Sequence, residues 1–252
     1  MATDPGVRKD VLQKEAYANG QLLDVRYRTH QLYTLDPIDF GQWTLERLSW
    51  QGTESVLDMG CARGDLLRAM ARGHSGWRRL AGFDLSPGMV AQARSMARGL
   101  PIHFFVGDAQ SVSLPDTLFD VVMARHMLYH VPDIERAVSE ASRLLGSGGR
   151  FLITTNSART MPELQAIRER ALVRFPAMVQ TPRLDQRYSL ENGIRWLEPY
   201  FERAEVHHLP GTLRFPDAAP FLAYFASMRA LIMKTGHTAE EWRAVLDFVG
   251  RE

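Results

Sequence analysis

Ser-Val-Leu-Asp-Met-Gly-Cys-Ala-Arg-Gly-Asp, residues Ser55 to Asp65, is the stretch that decides the fold. Its short apolar run ends at Asp58 and breaks at once into a turn with glycines at positions 60 and 64, after which a helical pattern begins. This order predicts a buried strand whose carboxyl end leads into a tight loop. Because glycine has no Cβ, such a loop can adopt positive φ angles and lie close to a ligand.

Three more apolar runs follow, and each ends next to an acid or a polar segment. Arg79–Ser86 closes with Asp84, and its Ser86-Pro87 pair is typical of a helix N-terminus. Ile102–Val106 leads into Gly-Asp-Ala, and Phe119–Ala124 leads into a polar segment. Strands that alternate with helices predict a parallel sheet, and a ligand then binds at the carboxyl ends of the strands.

The four strand ends, in order from Glu54 to Thr155, resemble the class I S-adenosylmethionine (SAM)-dependent methyltransferases, in particular their broad bacterial small-molecule group. The first motif of that family is acid-x-Gly-x-Gly-x-Gly, and Ala62 stands here in place of the middle glycine. The helix–turn–strand segment around Gly146–Gly149 resembles the family's Leu-x-Pro-Gly-Gly element, with Ser147 in place of proline. The glycine loop alone would also fit nicotinamide or flavin enzymes.

The resemblance implies an α/β, Rossmann-like fold with a mostly parallel seven-stranded sheet and helices on both faces. It also implies an N-terminal helical lid and a helical insertion after strand five. We expect a single domain with three parts: a helical cap over residues 1–50, a SAM-binding core over 51–156, and a C-terminal part over 157–252 with substrate-covering helices. In the last part the sequence predicts several helices and one strand, Arg203–Leu209.

The resemblance implies SAM as the cofactor and S-adenosylhomocysteine as its product. The loop around Gly60 and Cys61 would lie along the methionine part, Asp58 would anchor its amino group, and Asp84 would accept the ribose hydroxyls. Asp108 and the Ala109 amide would take the adenine. The predicted cofactor-binding residues are Asp58, Gly60, Cys61, Gly64, Asp84, Leu85, Met89, Asp108, Ala109 and Arg125.

The segment after the fourth strand is the natural source of a base, because it borders the transferred methyl group in this fold. His126 and His130 are the candidate catalytic residues, since histidine titrates near neutrality. In relatives, however, a histidine here often supports the loop against the following helix. Both roles stay open for both residues.

Aromatic and basic residues of the cap and the C-terminal part suggest an acceptor site for a medium-sized, partly apolar molecule. Packing in the core of the added helices explains the aromatic residues equally well. The candidate substrate residues are Tyr27, His30, Tyr33, Tyr129, Arg159 and Tyr188.

Composition narrows the function. The net charge of +1 gives no strong field for nucleic acid. The single cysteine, Cys61, excludes a multi-cysteine zinc site, and we expect no metal. Without an apolar leader or a long apolar run, we expect a cytoplasmic protein that does not bind membranes, as a monomer or homodimer.

The expected activity is methyl transfer by in-line displacement to a nitrogen or oxygen of a small molecule, in specialised metabolism. The first alternative is carbon methylation of a quinone-like or polyketide ring. RNA methylation and a non-catalytic SAM-binding protein are further alternatives.

Overall fold

A computed structural model describes residues 8–179 and 184–252. At its centre is a five-stranded sheet with the strand order β3-β2-β1-β4-β5, and every neighbouring pair is parallel. The strands are β1 (Ser55–Met59), β2 (Arg79–Asp84), β3 (Ile102–Val106), β4 (Phe119–Arg125) and β5 (Leu145–Thr154).

The register of the sheet places the acidic strand ends at one edge. In β1, Asp58 lies opposite Gly82 of β2 and Met123 of β4. Asp84 ends β2 and lies opposite Val106, the last residue of β3. Because all five strands run the same way, their carboxyl ends border a single crevice.

Alternating residues of the strands contribute side chains to two separate hydrophobic cores, one on each face of the sheet. Val56 packs with the helices α4 (Asp65–Gly73) and α5 (Pro87–Met96), whereas Leu57 packs with α6 (Ile134–Leu144). Each side chain points to the opposite face from its neighbour, as in any strand. The predicted α/β fold with helices on both faces is therefore confirmed.

Short helices precede the sheet. They are α1 (Lys9–Val11), which continues into a π-helical turn at Leu12–Ala16, then α2 (Gln21–Tyr33) and α3 (Phe40–Leu45). The last begins at Phe40. The Asp39 carboxylate accepts a hydrogen bond from the Gln42 amide at 2.9 Å and caps it.

Helices also follow the sheet. The bounds are α7 (Pro162–Arg174), α8 (Leu184–Arg187), α9 (Ile194–Leu197), α10 (Ala218–Ala226), α11 (Arg229–Ile232) and α12 (Ala239–Val249). Four of them, α7, α10, α11 and α12, share a core of their own. Phe225 of α10 stacks on Trp242 of α12, with 6.1 Å between ring centroids. The aromatic segment from Pro220 to Met233 contains parts of two helices, α10 and α11.

The seven-stranded sheet was an incorrect expectation, because the described residues form five strands. Residues 203–209, predicted as a strand, pair with no other strand and are exposed throughout. A strand needs a partner for its backbone groups and an apolar face to bury. Arg203, Glu205 and two adjacent histidines leave this segment with little to bury.

In the part of the chain that the structure describes, none of the helices has both the length and the apolar character that a membrane span requires.

The loop between β1 and α4 depends on glycine. Gly60 and Gly64 have φ angles of 64° and 69°, in the left-handed region that glycine favours. A Cβ on Gly60 would lie 3.0 Å from Cβ of Met127, and one on Gly64 would lie 2.5 Å from the Phe104 ring. The turn therefore needs glycine both for its dihedral angles and for space.

Gly64→Ala tests the requirement for space, and Gly99→Ala is the matched control. Gly99 also has a positive φ, 84°, but no atom lies within 4 Å of its potential Cβ. We expect the control to cost about 1–2 kcal/mol of unfolding free energy for the backbone alone. Gly64→Ala should cost at least about 1 kcal/mol more, because Phe104 must move. Urea denaturation measures both losses, and equal losses would contradict the steric argument.

Candidate active site

Four charged residues meet at the carboxyl edge of the sheet. Asp58 lies at the end of β1, Asp84 ends β2, Asp108 follows β3 and Arg125 ends β4. Side chains that are 17 or more residues apart in sequence are brought together by the parallel register of the sheet. Their arrangement determines what the crevice can bind.

Asp58 is fully buried and forms an ion pair with Arg125. The Arg125 guanidinium donates to Oδ2 of Asp58 at 2.9 Å. The second carboxylate oxygen of Asp58, Oδ1, is buried and has no hydrogen-bond partner. A buried carboxylate oxygen without a donor is costly, so this atom suits a positively charged ligand group.

The glycine loop is held against β2 beside this pair. The Cys61 amide donates to the Phe83 carbonyl at 2.8 Å, and the Gly64 amide donates to the Cys61 carbonyl at 2.8 Å. Cys61 is 2% exposed, and burial raises the pKa of its thiol well above the ordinary value. The thiol is therefore neutral and serves as a small filler of the loop.

Asp84 accepts backbone hydrogen bonds from both sides of the crevice. The Ala62 amide donates to Oδ2 at 2.9 Å, and the Ser86 amide donates to Oδ1 at 2.8 Å. Burial raises the pKa of this carboxyl. Each carboxylate oxygen retains a second lone pair, which can accept a hydroxyl.

Asp108 is covered by the N-terminal segment. The Lys9 ammonium donates to its Oδ2, and the Gln110 side chain donates to its Oδ1 at 3.1 Å. Nearby, the Gln13 side chain donates to the Leu85 carbonyl at 2.9 Å. Of the predicted apolar contacts, Leu85 is partly buried, whereas Met89 and Ala109 are buried at 0% and 6% exposure.

Next to the Asp58–Arg125 pair, five ring side chains contact one another in a chain, and a separate pair of rings, His30 and Tyr224, lies near them. We call this set the phenol–imidazole cluster. Ring centroids lie 5.5 Å apart for Phe40 and His126, 6.5 Å for His126 and Tyr129, 4.7 Å for Tyr129 and His130, 5.3 Å for His130 and Tyr17, and 6.2 Å for His30 and Tyr224. The cluster joins the N-terminal helices and α10 to the turn after β4.

His126 has a strained backbone, with a φ of 50°. Its amide donates to the Thr154 carbonyl at 2.9 Å, which holds the residue at the sheet edge. Burial, with the nearby Arg125 charge and His30, lowers the pKa of His126 to about 4. Its imidazole is thus neutral near pH 7. A non-glycine residue at such a φ costs energy, and this kind of strain is common at functional sites.

His130 is fixed by a tyrosine from the N-terminal segment. Nε2 of His130 lies 2.8 Å from the Tyr17 hydroxyl, and Arg26 donates to the same hydroxyl at 3.1 Å. Nδ1 of His130 is buried and has no partner. Burial, with the charges of Arg26 and Arg187, lowers the pKa of His130 to about 3.

Sequence reasoning missed Tyr17, Arg26 and Phe40 as parts of this cluster. Tyr17 is 113 positions from His130 in the chain. No local motif marks it, because the contact exists only once the N-terminal segment folds back over the sheet edge.

The six candidate substrate residues are not all brought together. Tyr129 and His30 belong to the phenol–imidazole cluster, and Tyr27 lies near Arg125 and Asp58, whose charges act on its hydroxyl. The others lie apart. Tyr33 packs on Phe215 at 5.3 Å, the Arg159 side chain is 90% exposed, and Tyr188 is 2% exposed within the core.

A groove of about 440 Å³ lies at the opposite, amino-terminal edge of the sheet. Its charged side chains already pair with one another, Arg78 with Asp120 at 3.4 Å and Arg150 with Glu54 at 3.5 Å. This groove contains none of the residues of the carboxyl edge. In the part of the chain that the structure describes, no three histidine, cysteine or acidic residues are grouped so as to hold a metal.

Comparison with known proteins identifies the family. Residues 57–153 match the sequence model of a methyltransferase domain. Aklanonic acid methyltransferase DauC of Streptomyces sp. (strain C5) is 31% identical over 161 residues, which cover 60% of this chain and 70% of that protein. The chain therefore belongs to the class I SAM-dependent methyltransferases, an enzyme family.

Two further comparisons agree. Ubiquinone/menaquinone biosynthesis C-methyltransferase UbiE of Methylobacterium nodulans is 30% identical over 151 residues, 57% of this chain and 60% of that protein. The solved structure of the YcgJ protein of Bacillus subtilis has a TM-score of 0.51 and 25% identity, covering 64% of this chain and 66% of that one. Among the first relatives, the aligned part spans only 45% to 70% of the relative's length.

The two partly buried histidines, His126 and His130, predict how stability depends on pH. Each has a folded-state pKa below the ordinary 6.5, so the unfolded chain binds more protons and acid favours unfolding. The stabilisation is complete above about pH 6.5 and is lost as the pH falls towards 4 and 3, with a slope of about 1.4 kcal/mol per pH unit for each histidine. Urea denaturation at pH 7 and pH 5 measures the loss.

His130→Asn should reduce that loss, because one of the two groups no longer titrates. His208→Asn, at an exposed position, is the control and should leave the difference between pH 7 and pH 5 as in wild type. If the His130→Asn variant loses as much unfolding free energy between pH 7 and pH 5 as wild type does, the burial of His130 does not contribute to the pH dependence.

A double-mutant cycle tests the Asp58–Arg125 ion pair. Arg125→Met leaves a buried carboxylate without its cation and should cost about 3–5 kcal/mol. Asp58→Asn combined with Arg125→Met should cost less than Arg125→Met alone, because the unpaired charge is removed as well. Chemical denaturation of the two single variants and the double variant measures the coupling. Simple additivity would mean that the pair is not electrostatically coupled.

Proposed function

We propose that this protein transfers a methyl group from SAM to a nitrogen or oxygen atom of a small-molecule acceptor. The observation that carries the proposal is the buried Asp58 oxygen without a partner, beside a glycine loop and two further acids at one sheet edge. The phenol–imidazole cluster lies directly beside it. Together they offer one place for the cofactor and an adjacent place for an acceptor.

The residues fit SAM in three respects. Asp58 Oδ1 can accept from the ammonium of the methionine part, and the Arg125 guanidinium beside it can face the carboxylate. Gly60 and Gly64 hold the loop beside Asp58 in left-handed dihedral angles, and glycines in such a loop let the backbone approach a ligand closely. Asp84 and Asp108 present acceptors suited to ribose hydroxyls and to the adenine amino group.

SAM supplies a methyl group on a sulfonium, which transfers by in-line displacement as the S–C bond breaks and the electron pair remains on sulfur. The protein's own task is to hold the acceptor atom in line and to exclude water. The partly buried rings of Tyr129 and His126, with the Phe40 ring packed against His126, can do both.

His126 is our candidate for the proton acceptor. In the described residues neither of its ring nitrogens takes part in a hydrogen bond, so one of them is free to accept from the acceptor molecule. His130 has its Nε2 occupied by Tyr17 and offers only Nδ1. We assign His130 the task of binding the acceptor.

The names of related proteins include O-, N- and C-methyltransferases, for malonyl-[acyl-carrier protein], ajmaline and ubiquinone/menaquinone biosynthesis. The family therefore leaves the target atom open, and carbon methylation of an aromatic ring stays the alternative. We further propose that residues 1–50 act as a lid and that helices of residues 157–252 cover the acceptor. Contacts of Lys9, Gln13 and Tyr17 with the strand ends support the lid.

Titration calorimetry with SAM, S-adenosylhomocysteine and NAD tests this function. We expect both sulfur nucleosides to bind and NAD not to bind. Asp84→Ala should weaken binding of S-adenosylhomocysteine by at least about tenfold, since a charged acceptor for the ribose is lost. Asp247→Ala, an exposed position on α12, is the control. Binding of NAD without binding of either sulfur nucleoside would refute the proposal.

A further inference from the structure

We infer that the methyl acceptor of this protein is an oxyanion, a carboxylate or an acidic phenol on a flat apolar body, and that Arg26 supplies the positive charge that selects it. This inference rests on the proposed function and narrows it to oxygen. It is carried by the contacts of Arg26 within the phenol–imidazole cluster.

Arg26 has neutral partners only. Its Nε donates to the Ser227 hydroxyl at 3.1 Å, its Nη1 to the Tyr17 hydroxyl at 3.1 Å, and its Nη2 to the Ser227 carbonyl at 2.8 Å. Among the residues that the structure describes, no acid forms an ion pair with it. A guanidinium carries five N–H donors, so these three bonds leave two donors for a ligand.

The charges that act on the cluster are positive. Tyr129 and Tyr224 both lie in the field of Arg26, His130 in that of Arg26 and Arg187, and His126 in that of Arg125. Asp58, at the edge of the cluster, is already paired with Arg125. An amine acceptor is cationic at neutral pH and would meet repulsion here, whereas an anion would be attracted.

The hydrogen-bonding groups of the cluster also suit an anion. The Tyr17 hydroxyl accepts from Arg26, so its single proton is free to be donated to Nε2 of His130. When Tyr17 donates this bond, His130 carries its proton on Nδ1, the buried atom that has no partner. An unmet N–H donor beside a guanidinium is a site for an oxygen acceptor.

An acceptor that arrives as an anion has no proton to lose. Its oxygen forms the new C–O bond while the S–C bond breaks, and the products are an ester or ether and S-adenosylhomocysteine. No strong base is then required, which agrees with a histidine as weakly basic as His126. The rings of Phe40 and Tyr129, which both contact His126, can pack against the flat body of such a molecule.

The test uses naphthalene probes that differ in charge, titrated into the full chain loaded with S-adenosylhomocysteine. The probes are 2-naphthoate, 4-nitro-1-naphtholate, the neutral 2-naphthamide and the cationic 2-naphthylmethylamine. We expect 2-naphthoate or the naphtholate to bind at least about tenfold more tightly than the amide, and the amine to bind least. The two anions distinguish a carboxylate site from a phenolate site.

Arg26→Gln should reduce the preference for the anion to less than about threefold, whereas Arg26→Lys should retain most of it because the charge remains. Arg72→Gln, at an exposed position of α4, is the control and should bind all probes as wild type does. Circular dichroism and thermal melting verify that each variant is folded.

Equal binding of the amide and the anions by wild type, or no binding of any probe, overturns the inference without any variant. An anion preference that survives in Arg26→Gln assigns the charge to another residue and overturns the role of Arg26. If S-adenosylhomocysteine itself fails to bind, the proposed function falls first, so the two failures are distinguishable.

Discussion

The buried carboxylate of Asp58 is the group on which the rest of this crevice depends. It has no exposure to water, and removal of a charge from water costs several kcal/mol unless a counter-charge compensates. Arg125 compensates one oxygen only, and the parallel register of β1 and β4 places the two side chains together. The second oxygen is left for a ligand. Under the proposed function, stability and cofactor binding would therefore depend on the same ion pair.

The core of the fold was predictable because local patterns determine it. Apolar runs that end at Asp58, Asp84 and Asp108 predict parallel strands, and Ser86 caps its helix as expected, accepting from the Met89 amide at 3.2 Å. The described residues lack two of the seven strands that were expected, and local patterns could not reveal this in advance. Residues 203–209 alternate weakly between apolar and polar residues, but strand formation depends on a neighbouring strand that the sequence of the segment does not reveal.

The cofactor side of the site follows from motifs, but the acceptor side does not. Arg125 and His126 could be proposed from the sequence because they directly follow a predicted strand or end it. Tyr17 and Arg26 carry no motif, and they reach the site only through the return of the N-terminal segment over the sheet edge. For Tyr188 the sequence misled in the opposite direction. Its aromatic side chain suggested a contact with a ligand, but the residue is 2% exposed and its ring is packed in the core. Side-chain type alone does not distinguish a core tyrosine from one that faces a ligand.

The ammonium of Lys9 lies where the amino group of a purine would be received by Asp108. The lysine ammonium and the purine amino group are both hydrogen-bond donors. They would share the two carboxylate oxygens of Asp108 with the Gln110 side chain. A nucleoside that arrives must therefore displace the lysine or share the acid with it, and departure of the spent nucleoside leaves the acid to the lysine again. We expect the helical turn at Lys9–Val11 to exchange places with the purine once in every turnover. The rate of this movement, and not the chemical step alone, would then limit how fast fresh cofactor replaces the product.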